Sequence, residues 1–122
     1  MSEDISRLPP QVQQRLLRLQ QLQQTLQGVL TQKQQLEFEL NGVEQALGEI
    51  EKQTANSEIY KSVGSILVKS KKSTVQTELN DQKEILNMRI KVMNQQEERL
   101  RTQVKDLQEK LQHDLRLISP SS

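Results

Sequence analysis

The chain of 122 residues is about one domain long, yet only 33% of it is hydrophobic and 2% aromatic, too lean a supply for a compact globular core. Lys and Arg number 17 against 16 Asp and Glu, a formal charge of +1, so no net field draws the chain to nucleic acid or to an anionic membrane. There is no cysteine, which excludes a disulfide scaffold and thiol chemistry and is compatible with a reducing cytosol.

The opening MSEDISRLPP lacks the basic and apolar regions of a secretory signal. The longest aliphatic run, Ile66-Leu67-Val68, falls far short of the roughly 20 residues that span a bilayer. The expectation is a soluble, cytoplasmic protein with neither membrane nor nucleic acid as partner. Pro9 and Pro10 suit the first turn of a helix or the segment just before it.

From there a heptad sets in. Val12, Leu19, Leu26, Lys33, Leu40 and Leu47 alternate with Arg15, Leu22, Val29, Leu36, Val43 and Ile50 as a and d positions, ten of the twelve apolar; Ile5 and Leu8 extend the series backward. This spacing predicts a coiled-coil helix over about residues 10–53. Gly28, Gly42 and Gly48 fall at its outer positions, each costing about 1 kcal/mol relative to Ala.

Residues 57–71 break the pattern. Ile59, Tyr60, Val63, Ile66, Leu67 and Val68 form a β-branched and aromatic cluster suited to strands, and Gly64-Ser65 suits a two-residue hairpin turn. A lone hairpin with apolar residues on both faces and open edges is marginal in water. The expectation is therefore that Ile59, Tyr60, Val63, Gly64, Ile66, Leu67 and Val68 form an oligomerisation hairpin that pairs with hairpins of other chains into a shared sheet or barrel. The alternative is an irregular loop whose aliphatics fold against the chain's own helices.

A second heptad follows over about residues 73–118. Leu79, Leu86, Met93, Leu100, Leu107 and Asp114 alternate with Lys83, Ile90, Glu97, Val104, Leu111 and Ile118, nine of the twelve apolar. Ser73 with Gln76 resembles a capping box at its start, and Ser119-Pro120 suits its stop. The two apolar tracks are nearly equal in length, so the economical fold is mainly α: a long antiparallel two-helix coiled-coil hairpin with one central β-hairpin that assembles into an oligomeric barrel, all within a single domain of residues 1–122. Residues 1–8 and 119–122 would be flexible ends. Arg15 with Asp114, and Lys33 with Glu97, fall near equal heights and could pair to set the register; alternatively their long stems snorkel out of a thin seam.

Doubling back brings both chain ends together. There Ile5, Leu8, Val12 and Ile118 at core positions are joined by Leu16, Leu17, Leu115 and Leu117 at e, f and g positions. A stripe this wide exceeds what one partner helix covers, and the surplus is a candidate surface for holding non-native chains. Catalytic chemistry is missing from the sequence. His113 is the single histidine, no phosphate loop or nucleophile motif occurs, and Lys69, Lys71 and Lys72 lack neighbouring aromatics for base stacking. Neither an enzyme nor a cofactor is expected.

The segments LPPQVQ at residues 8–13 and IYKSVGSILV at 59–68, set around two equal heptad helices, resemble the β-type subunits of prefoldin. What the resemblance implies is an ATP-independent holdase subunit, with the hairpins forming a barrel platform in a hexamer of two α-type and four β-type subunits. It further implies unfolded client proteins held at the distal ends of the helices and handover to a group II chaperonin. The competing expectation is a structural or adaptor coiled coil, assembled through parallel chains, without chaperone activity.

Overall fold

In the computed structural model, which describes residues 7–118, two helices flank one hairpin: α1 (Pro10–Glu51), β1 (Ile59–Val63), β2 (Ile66–Ser70) and α2 (Lys72–Ile118). The capping of α1 follows from its prolines. Pro9 offers its carbonyl to the amides of Val12 at 3.0 Å and Gln13 at 3.1 Å, and Pro10, which has no amide hydrogen to satisfy, takes the first helical position. The Gln13 side chain donates back to the Leu8 carbonyl at 2.7 Å.

At its other end α1 is closed from a distance. Lys72 Nζ donates to the carbonyls of Gln53 at 2.6 Å and Glu51 at 3.3 Å, placing a cation where the helix dipole is negative and carbonyls lack partners. The first turn of α2 differs from the capping box expected at Ser73. The Val75 amide bonds to the Lys71 carbonyl at 3.1 Å, so Lys71 takes the N-cap place and Ser73 is already helical, its carbonyl accepting from Thr77 Oγ1 at 3.0 Å. Helix formation starts at Lys72, the residue whose side chain reaches the end of α1.

The chain divides into two compact units. One comprises Met1–Gln32 and Met93–Ser122, the other Lys33–Val92. In the first, α1 and α2 run antiparallel: Arg15 pairs with Asp114, and further along α1 Leu22 lines a groove with Leu107. Val12, Leu22, Val29 and Leu111 are buried there. The Arg15 guanidinium donates to the Asp114 carboxylate, one of the two pairings the heptad suggested. In the second unit Val43 and Ala46 share a groove with Leu79 and Leu86, again antiparallel, with Ile50, Ile59 and Leu86 buried.

Each a and d position read from the sequence between Leu8 and Ile50 is buried or half-buried, as is each from Leu79 to Asp114, the charged Lys33, Lys83 and Glu97 included. Glu97 accepts from Arg101 Nε at 2.9 Å, one turn along α2. Ile118 departs from the series, being 42% exposed. Ile118 is the final residue of α2, at the very end of the described seam.

The hairpin has the two-residue turn expected of Gly64-Ser65. Its strands are antiparallel, with Val63 opposite Ile66, Lys61 opposite Val68 and Ile59 opposite Ser70. Gly64 has φ +58, and no other described residue has a positive φ, the pattern of a type II′ turn with glycine first.

Candidate functional site

Two apolar surfaces stand out against a largely polar exterior, and each lies within one unit. The first belongs to the unit containing the N-terminal part of α1 and the C-terminal part of α2. Leu17 is 57% exposed and Leu117 68%, and Leu115 and Ile118 are exposed as well. Leu8 and Leu16 are half-buried, Val12 is buried in the seam, and Ile5 lies outside the described residues. The eight candidates thus sort by depth: Val12 packs the last closed layer, Leu8 and Leu16 border it, and four aliphatics face outward on the last turns of the helices or close to them.

The cause is local geometry. A two-stranded coil buries a narrow stripe of a and d positions, and Leu17, Leu115 and Leu117 sit at f, e and g positions, outside that stripe. Their surroundings are mixed in charge, with Arg18, Asp114 and Arg116 close in sequence. Arg116 also complements the negative end of α2, its Nε reaching the Gln112 carbonyl at 3.4 Å.

The second surface is the hairpin. Tyr60, Val63, Ile66, Leu67 and Val68 are all exposed, Leu67 at 71%, and only Ile59 is buried. Strand alternation puts Ile59, Lys61, Val63, Ile66, Val68 and Ser70 on one face and Tyr60, Ser62, Leu67 and Lys69 on the other. Each strand has a neighbour on one side only, which leaves the outward N–H and C=O groups of both strands open to pairing. Lys61 Nζ reaches Glu78 Oε2 on α2 at 2.7 Å.

Sequence reasoning passed over a further set of exposed apolar residues in the second unit: Phe38 on α1, and Ile85 and Val92 on α2 beside the surface methionine Met88. The signal was available. Ile85, Met88 and Val92 recur at helical spacing on c and f positions, a weaker second stripe behind the seam. Among the described residues no group of acidic, His or Cys side chains could hold a metal ion, and no helix is long and apolar enough to cross a membrane.

Known proteins share this architecture. The sequence profile of the prefoldin subunit family matches residues 13–116. The chain is 49% identical over 115 residues to the prefoldin subunit beta of Archaeoglobus fulgidus, covering 94% of this chain and 97% of that protein. It is 45% identical over 116 residues to that of Sulfurisphaera tokodaii, covering 95% and 93%. The crystal structure of the prefoldin beta subunit from Thermococcus strain KS-1 superposes with a TM-score of 0.84 at 38% identity, over 89% of this chain and 96% of that one. Matching helices, hairpin and sequence over nearly the full length, the chain belongs to the prefoldin subunit family.

Proposed function

We propose that this chain is the β-type subunit of an ATP-independent holdase, joined to sibling subunits by its hairpin and holding unfolded proteins on the apolar surface around the ends of its helices. Family membership gives it a chaperone-type, non-enzymatic role within a hetero-oligomer of prefoldin subunits. The observation that carries the finer reading is the exposure of Leu17, Leu115, Leu117 and Ile118 together in the unit that holds both chain ends.

Non-native chains expose apolar segments of no fixed sequence, and a small aliphatic patch set among polar residues binds such segments weakly and with little selectivity. Several copies around one space turn weak contacts into avidity. The proposed complex has two α-type and four β-type subunits on a platform of joined hairpins, which cover the aliphatics exposed in the single chain. Its clients pass to a group II chaperonin in the cytoplasm. The antiparallel pairing of α1 with α2 inside one chain speaks against a structural coiled coil of parallel chains, in which that seam would lie between molecules.

The test combines Leu16→Ser, Leu17→Ser, Leu115→Ser and Leu117→Ser in one variant, assembled with an α-type subunit. The expected result is an oligomer of unchanged mass that no longer suppresses aggregation of a chemically unfolded model protein, measured by light scattering without nucleotide. Full suppression by the intact oligomer would overturn the assignment.

A further inference from the structure

The hairpin face shared by Ile59, Val63, Ile66 and Val68 carries one residue that does not fit it. Lys61 lies between Ile59 and Val63 along β1 and directly across from Val68. An ammonium group among aliphatics costs little while water reaches it, and its side chain is 43% exposed in the single chain. Once another surface closes over that face the hydration is lost, and the charge then opposes docking unless a counter-charge is buried with it.

α2 supplies such a counter-charge. Glu78 Oε2 lies 2.7 Å from Lys61 Nζ. Glu78 occupies a c position, one residue before Leu79 of the seam, so the packing of the two helices gives no reason for an acid there. The same hairpin face is anchored at its base, where Ile59 is buried, while Val63, Ile66 and Val68 further along remain exposed. The pair therefore stands at the boundary between the part of the face already covered and the part still open.

Resting on the assembly reading above, we infer that Glu78 is the counter-charge that lets Lys61 enter the subunit interface, and that this face is covered by the hairpins of sibling subunits. The occupant follows from continuity: the open edges of β1 and β2 extend the existing ladder, and a strand added there sets its own side chains beside Lys61 and Val68 on the same face, taking water from them. The pair also acts as a selectivity element. A lysine on an apolar face resists docking onto any sheet while its charge is unmatched, and a glutamate fixed on α2 matches it only when hairpin and helix keep their native relation.

The test uses the full-length chain assembled with an α-type subunit, its dissociation midpoint measured on dilution by analytical ultracentrifugation. Glu78→Gln leaves Lys61 unmatched and is expected to raise that midpoint on the order of tenfold. Adding Lys61→Met to Glu78→Gln is expected to bring it back within about threefold of the parent, as is the exchange Lys61→Glu with Glu78→Lys. Recovery on deleting both charges separates a desolvated charge from a mere tether, since a lost tether stays lost. Unchanged assembly of Glu78→Gln, or losses that add in the double variant, would overturn the inference. Ile66→Asp serves as the control. If it also leaves the complex intact, the hairpin is not the assembly element and both readings fall; if it alone breaks the complex, only the role of Glu78 does.

Discussion

The Arg15–Asp114 pair makes the strongest quantitative claim on stability. Both residues occupy d positions of a leucine-rich seam, and their side chains retain 26% and 16% of their exposure. Exposed ion pairs contribute about 0.2–1 kcal/mol, whereas breaking a buried pair by removing one partner costs about 3–5 kcal/mol because the survivor is left desolvated. At this intermediate depth Asp114→Leu, made alone, should cost about 2 kcal/mol because Arg15 is left without its partner, equivalent to about 8 °C in Tm for a chain of this size. Arg15→Leu should also destabilise, since it leaves Asp114 half-buried without its partner. Combining Arg15→Leu with Asp114→Leu is expected to recover the whole loss and to exceed the parent, because two leucines extend the apolar seam where two charges had to be desolvated. The assay is thermal unfolding followed by far-ultraviolet circular dichroism, at one fixed protein concentration so that association does not shift the midpoint. A double variant that loses the sum of the two single losses would refute the idea that the charges are matched across the seam.

Two further substitutions separate backbone effects from packing. Gly64→Ala places a Cβ in open space but forces a non-glycine residue to φ +58, so the hairpin should lose about 1–2 kcal/mol, seen as faster hydrogen exchange of the β1 and β2 amides with α1 and α2 unchanged. Gly42→Ala, helical and equally unobstructed, should instead stabilise the chain by about 1 kcal/mol, read as a higher denaturant midpoint at unchanged slope.

Much of the fold was legible in the residue pattern because a coiled coil writes its core into sequence at a fixed interval. Stepping by seven from Val12, Arg15, Leu79 and Lys83 found the positions that became the seam, even where Lys33, Lys83 and Glu97 interrupted the apolar series. The hairpin was legible for a related reason: the strand-forming cluster straddles Gly64-Ser65, and glycine at the first turn position meets the positive φ there. The candidate surface around the helix ends was legible as a group but not by depth. Heptad letters put Val12 and Ile118 in the same class, while the fold buries the first, inside the seam, and leaves the second, the final residue of α2, exposed.

The sequence by itself determined the period of the helices, the place of the turn and the absence of a large core, since each depends on spacing or composition along the chain. The heptad offered Arg15 and Asp114 either as a pair or as snorkelling stems, and tertiary structure chose the pair; it alone decided that Lys61 meets Glu78 and that Lys72 closes over the last carbonyls of α1. Those contacts join residues distant in sequence or on different elements. Whether a flexible side chain reaches its partner depends on a few ångströms of helix offset and strand direction, which no interval along the chain records.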